Sequence, residues 1–234
     1  MLEVLQGVVE VLVKYAPLLT EGLKNTLLVT ATSFAIGFAL GLPLSIARMY
    51  GSPPLKLLVA VYVELIRGTP LMLQLFLAYY ALPALGIALS PLQAAILALG
   101  LNSAAYQAEY FRTAMGSIPR GQWEAALGIG LSVSAAVRHV VVPQALRVAV
   151  PVLTNEAIYL LKYSSIASLI TVPELLYVSR IITSRTFMYV QVYAFLGLTY
   201  VVLGSAIAKL MRRVEAAVAV PGLTVSHARS LTWA

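Results

Sequence analysis

The sequence predicts an all-α integral membrane protein. Five helices cross the bilayer with the N-terminus outside and the C-terminus inside, and one short helix lies on the inner side between the third and fourth crossings. Three observations carry this reading. Charge-free runs of 23, 41 and 23 residues separate Lys24 from Arg48, Arg67 from Glu109, and Arg185 from Lys209. One crossing needs about 20 apolar residues, so the middle run holds more than one segment. Mean hydropathy is +0.89 with 11% of residues charged, too little polar material to cover a water-facing surface of this size. The flanking cations are asymmetric: Arg48, Lys56, Arg112, Arg120, Arg138, Lys209, Arg212 and Arg213 fall on the inner side, against Lys14, Lys24, Arg180 and Arg185 outside.

The same composition excludes several classes. Cysteine is absent, which removes disulfides and thiolate metal sites, and two isolated histidines make no metal centre. The net charge of +7 is scattered along the edges of apolar runs rather than gathered into a nucleic-acid patch. Glu3 and Glu10 interrupt the N-terminus, so a cleaved signal peptide is not expected. Tyrosines and both tryptophans are assigned to the membrane interfaces.

In chain order, residues 1–20 mix Glu3, Glu10 and Lys14 with valine and leucine and read as an N-terminal interfacial amphipathic helix. The membrane region is then residues 21–215. Its first span runs from about Asn25 to Ala47 and stops at Arg48. Gly51, Ser52, Pro53 and Pro54 make a tight connection. The second span, about Leu57 to Leu82, is interrupted at Gly68-Thr69-Pro70, where Pro70 lacks an N–H and disfavours helical Thr69. A turn from Pro83 to Pro91 leads to the third span, about Pro91 to Met115. The fourth runs from about Val140 to Leu161. A polar excursion with Glu174, Arg180 and Arg185 precedes the fifth, about Phe187 to Leu210. Residues 216–234 form a C-terminal tail.

The stretch Gly121–Gly130, GQWEAALGIG, is too short to span and too polar for lipid. Ser117 suits a cap, Pro119 a first turn, and Gly128 to Gly130 a left-handed end, so a short helix fits here. Ala125 and Ala126 leave a face almost free of side chains beside the carboxylate of Glu124. Such a helix can be a docking element or simply an amphipathic interfacial loop.

Glu124-Ala125-Ala126, three residues, Gly130, nine residues, then Val140-x-Val142-Pro143 resembles the EAA loop of ATP-binding-cassette importer permeases, with valine in place of the family's Ile and Leu. Glu64-Leu65-Ile66-Arg67-Gly68-Thr69-Pro70 and Tyr106-Gln107-Ala108-Glu109 are similar to the polar amino acid group of these permeases, and the likeness covers roughly residues 20–215. Tyr163 departs from it, standing where the family segment carries aspartate. The resemblance implies an importer subunit of the cell membrane that crosses it several times. It implies a coupling helix with Gly121, Glu124, Ala125, Ala126, Gly130 and Pro143 against a separate ATPase dimer, a second permease copy, identical or not, an extracytoplasmic solute-binding protein and an amino acid cargo. No GxxxxGK[ST] pattern occurs, so ATP and its magnesium belong to the partner and this chain is no enzyme.

Polar groups at mid-membrane are expensive and need a reason. Arg67 lies 11 residues beyond Lys56, a depth of about 16 Å in a core about 30 Å thick. Asn102, Asn155 and Glu156 reach a similar level from their own ends. With Thr69 at the helix break, these residues are the candidate substrate pathway: Arg67 for a carboxylate, Glu156 for an ammonium. Arg67 can equally pair with Glu64, and Asn155 can simply link helices. Glu109 and Arg112 fall near the inner end of the third span as interfacial or gate residues, and Lys162 near the outer surface. Two other readings stay open: a carrier or channel without a motor, and an importer permease for another small solute such as an opine. An intramembrane enzyme finds no catalytic set, since aspartate is absent.

Overall fold

The computed structural model describes residue 11 and residues 13–218, and every regular element among them is helical. The first helix, α1 (Ala16–Tyr50), already begins inside the segment expected to be interfacial. Pro17 fits a first turn that needs no N–H, and nothing stops the helix at Asn25, so one 35-residue rod replaces the shorter span. Most of the expected amphipathic segment lies outside the described residues. After Gly51 and Ser52, α2 (Pro53–Arg67) starts on the two prolines assigned to the connection, both in the first turn where proline is tolerated.

At Gly68–Pro70 the chain breaks. α3 (Leu71–Phe76) continues through a π-helical turn, Leu77–Ala81, and a 3-10 turn, Leu82–Leu85, and this limb is bent by 102° from α2. Gly86 ends it at φ +83°, a left-handed conformation open to glycine. Then α4 (Pro91–Gly116) opens on a capping box: the Ser90 hydroxyl accepts from the Gln93 N–H, and the Gln93 side chain accepts from the Ser90 N–H. The short helix α5 (Arg120–Gly128) follows.

The fourth run starts earlier than the charge pattern suggested. Helix α6 (Val133–Ala136), a π-helical turn at Val137–Val141, α7 (Val142–Tyr163) and a 3-10 stretch Ser164–Ile170 form one continuous 38-residue run. Helices need not stop at a membrane surface, so Arg138 and His139 are carried along. α8 (Leu175–Thr186) and α9 (Tyr189–Val218) complete the described residues, and α9 overruns the boundary at 216. The remainder of the expected tail lies outside the described residues.

Among the described residues, three runs are long and apolar enough to cross a bilayer: α1, Val133–Ile170 and α9. The bent α2–α3 pair makes a fourth if its two limbs count as one crossing. The expected third span, α4, is long enough but carries Asn102, Ser103, Gln107, Glu109 and Arg112. The reason is its position, for α4 packs against α1, α2, α3 and α7 and has 13 buried residues, so its polar groups face protein rather than lipid. Phe111, Met115, Val141, Ala145, Ala149 and Leu153 form the core where α4 meets the fourth run, and Phe38 meets Phe111 edge to face at 5.4 Å.

Between the last two long runs the polar excursion is a buried latch. The Glu174 carboxylate caps α8 by accepting from the N–H groups of Leu176 (2.9 Å) and Tyr177 (2.6 Å), and Tyr200 donates to it at 3.3 Å. α1 holds the same turn: Asn25 donates to the Pro173 carbonyl at 3.0 Å and Leu175 N–H donates to Thr26 at 3.2 Å. Burial outweighs these hydrogen bonds and pushes the Glu174 carboxyl from 4.5 up to about 7. A raised folded-state value gives stability that is complete below the unfolded value and is lost as pH rises through the folded one. The thermal midpoint in detergent is therefore expected to fall between about pH 5 and about pH 8, and Glu174→Gln to flatten that slope. A wild-type midpoint that rises over this interval would contradict the assignment.

Candidate functional site

Two sites emerge, a cavity inside the bundle and a small helix at one end of it. The cavity has a volume of about 500 Å³, within the usual range for a small-ligand pocket. The break after α2, the middle of α4 and the second half of α7 wall it, and Thr69, Asn102 and Glu156 are among its lining residues.

Glu156 is 6% exposed. It accepts from the Ser103 hydroxyl at 2.6 Å and the Tyr110 hydroxyl at 3.3 Å, both on α4. Behind it, Gln107 donates to Ser103 (3.0 Å) and to the Phe34 carbonyl (3.3 Å), tying the carboxylate to α1. No cation reaches Glu156 among the described residues, which leaves it the acid of the cavity without a counter-ion.

The break is stitched by a residue that the sequence reading passed over. Gln74, on the first turns of α3, donates to the Ile66 carbonyl (2.7 Å), the Thr69 carbonyl (3.1 Å) and the Thr69 hydroxyl (2.9 Å). Its own carbonyl accepts from Asn102 at 3.0 Å. One amide thus satisfies the end of α2, fixes Thr69 and joins the break to α4. A lone glutamine four residues after Pro70 in an apolar run was the available signal.

Two candidates are placed elsewhere. Asn155 is exposed on α7 and does not line the cavity. Arg67 is one residue layer behind the cavity: its guanidinium lies 5.3 Å from the Tyr106 ring centroid and 3.9 Å from Glu109. Pairing with Glu64 is thereby corrected, since Glu64 faces Arg48 instead at 3.4 Å. Residues three apart can meet on a helix face, but a better-buried acid on α4 wins Arg67. Glu109 is gripped by three arginines: Arg48, Arg67 and Arg112, the last donating from both Nε and Nη2 at 2.9 to 3.2 Å. The cluster joins the ends of α1, α2 and α4.

The tyrosines also need correction. Tyr106 and Tyr110 on α4, and Tyr159 and Tyr163 on α7, line the cavity rather than a membrane interface. Their spacing of four in each helix, which puts two rings on one face, was the signal.

The short helix α5 begins with Pro119 as its flanking residue, without a side-chain cap. Ser117 does not cap it but ends α4, donating to the Ala114 carbonyl at 2.8 Å. Gly128 is the last helical residue and Gly130 takes φ +84°, with the Leu131 N–H returning to the Ala126 carbonyl at 3.1 Å. Glu124, Ala125 and Gly121 are exposed, whereas Ala126 is buried and belongs to the inward face, so the bare surface is narrower than expected. Two contacts anchor α5. Trp123 stacks on Tyr50, the last residue of α1, at 5.8 Å and 11° between planes. Gln144, beside Pro143 at the start of α7, donates to Gln122 at 3.3 Å. Apolar Leu127, Ile129 and Val133 stand exposed in and just after α5, with Ile129 80% accessible.

Comparison with known proteins shows the family of the chain. Residues 33–220 match the family described as binding-protein-dependent transport system inner membrane component. A probable amino-acid ABC transporter permease protein of Bacillus subtilis is 41% identical over 184 residues, covering 79% of this chain and 81% of the relative. The glutamine transport system permease protein of Escherichia coli is 34% identical over 201 residues, 85% and 92% of the two chains. A crystal structure of an amino acid ABC transporter with histidines superimposes with a TM-score of 0.81 at 37% identity, covering 88% of this chain and 96% of that one.

Proposed function

The chain belongs to the binding-protein-dependent transport system inner membrane components, a family of membrane-embedded permease subunits, and from that premise we propose how it works. It is the permease subunit of an ATP-binding-cassette importer for polar amino acids, delivered by an extracytoplasmic binding protein and driven by a separate ATPase. The observation that carries this is α5: a short exposed helix, fixed to α1 by Trp123 on Tyr50 and to α7 by Gln122 and Gln144.

A helix held at two points transmits force, whereas a free loop absorbs it. In this reading α5 sits in a groove of the ATPase dimer, with Gly121, Glu124 and Ala125 at the contact, Ala126 packing inward, and Gly130 and Pro143 shaping the return to the bundle. Closure of the ATPases, which hold ATP and magnesium, moves α5 and with it α1 and α7. Leu127 and Ile129 add apolar area to the docking surface.

The topology that serves this has five crossings in the cell membrane, N-out and C-in. The broken α2–α3 pair makes one crossing and α4 another, since 26 residues reach about 39 Å against a core of about 30 Å. A break at mid-depth is tolerated where it lines a cavity, and α4 is sheltered by its neighbours. A second permease copy, identical or a sister chain, covers the exposed side of α7 where Asn155 has no place in lipid. In the cavity, Glu156 receives the ammonium of the cargo. Thr69 and Asn102 offer hydrogen bonds to the remainder, and Arg67 supplies positive potential for the carboxylate from behind Tyr106.

The test is a tagged purification in mild detergent with the ATPase co-expressed, comparing wild type with Glu124→Arg and Gly130→Val. The ATPase is expected to accompany the wild type and to be lost or uncoupled in both variants, with membrane insertion intact. Coupled hydrolysis at wild-type rates in both would remove α5 from the coupling role. No ATPase on the wild type would favour a motor-free carrier.

A further inference from the structure

The charges around the cavity are unbalanced, and the imbalance bears on which amino acids it accepts. Glu156 is the one carboxylate among the described lining residues. The next acid, Glu109, is committed to three arginines. Cations meanwhile sit against the tyrosines from outside: Arg67 over Tyr106 at 5.3 Å and Lys162 over Tyr159 at 5.8 Å. Tyr163 stacks on Tyr159 at 5.8 Å and 15°, and both residues line the cavity.

Resting on the amino acid permease reading, we infer that this cavity selects zwitterions with a neutral, bulky or planar side chain and rejects basic ones. The α-ammonium of the cargo is matched by Glu156. A basic side chain brings a second positive charge beside the buried Glu156, into a space that offers no second anion among the described lining residues. Aromatic faces normally attract cations, but here Arg67 and Lys162 already occupy that role and repel another. A neutral ring or chain needs no counter-charge and gains contact area against Tyr159 and Tyr163. Discrimination therefore comes from a repulsive arrangement as much as from an attractive one.

Equilibrium binding to the purified permease–ATPase complex tests this, with L-phenylalanine, L-glutamine, L-arginine and L-lysine as probes. The neutral pair is expected to bind at least about ten-fold more tightly than the basic pair, the scale set by juxtaposed like charges. Lys162→Glu exchanges an exposed cation for an anion and is expected to narrow that gap by about three-fold or more. Tyr163→Leu is expected to weaken phenylalanine more than glutamine. Arginine or lysine binding the wild type as tightly as the neutral pair overturns the inference and leaves the permease reading standing. If none of the probes binds, the inference and the amino acid cargo fall together, while association of the ATPase still tests the importer reading on its own.

Discussion

Gly37→Leu is expected to disrupt the bundle and abolish uptake, because α1 and α4 touch there almost without side chains. A Cβ at residue 37 would lie 2.9 Å from the Ser103 Cβ and run into the Gln107 amide. One turn on, a Cβ at Gly41 would meet the Gln107 Cβ at 2.9 Å and the Ala108 backbone nitrogen at 3.1 Å. Across the interface Gly100 is closed in by Ile36 at 2.9 Å. Small residues that let backbones approach are how membrane helices gain packing without a hydrophobic drive between them. Overpacking costs about 1–3 kcal/mol by itself. Here it also displaces Ser103 and Gln107, and Ser103 is the donor that holds Glu156. The damage therefore reaches the cavity. The measurement is monodispersity and thermal midpoint in detergent alongside uptake. Gly197→Leu on exposed α9, where a Cβ meets nothing within 4 Å, is the control expected to behave as wild type. A Gly37→Leu protein that melts and transports normally would refute the close approach.

The second large effect is expected from Glu109→Gln. Its carboxylate is 13% exposed and is shared by three guanidiniums, so the amide leaves Arg48, Arg67 and Arg112 crowded with one carboxylate, Glu64, in place of two. Glu64 remains, but it is largely exposed and serves Arg48 alone. Breaking a buried pair by removing one partner costs about 3–5 kcal/mol; with Arg67 and Arg112 partly solvated, about 2–3 kcal/mol is the fitting scale. Because the cluster ties the ends of α1, α2 and α4, the loss should appear as a lower thermal midpoint and a weaker hold on the break beside the cavity. Arg67→Ala, which removes only the 3.9 Å member, is expected to be milder. Equal midpoints for Glu109→Gln and wild type would mean that the arginines carry no mutual strain.

Much of the candidate site was legible in the residues, though unevenly. Gly68-Thr69-Pro70 announces a break because proline and the residue before it cannot continue a helix, and the chain bends there. Glu156, Asn102 and Thr69 declared themselves as polar groups at a costly depth and do share one cavity. Asn155 satisfied the same depth rule but is exposed and does not line the cavity, since depth along a helix does not fix what a side chain meets. The tyrosine pairs followed a four-residue spacing yet were assigned to interfaces, because aromatic composition alone serves either place.

What the sequence determined by itself was where helices exist and where they fail: apolar runs, a proline break, and the left-handed end at Gly128 to Gly130. Those are local properties, fixed by a residue and its near neighbours. Tertiary structure alone decided the partners. Arg67 chose Glu109 over Glu64, Glu156 found Ser103 and Tyr110, and Trp123 found Tyr50. It also decided that α4 could keep its polar residues, because only packing against its neighbours relieves them of facing lipid. Distance along the chain does not encode proximity across a bundle, and helix ends follow backbone hydrogen bonding rather than the edge of an apolar run.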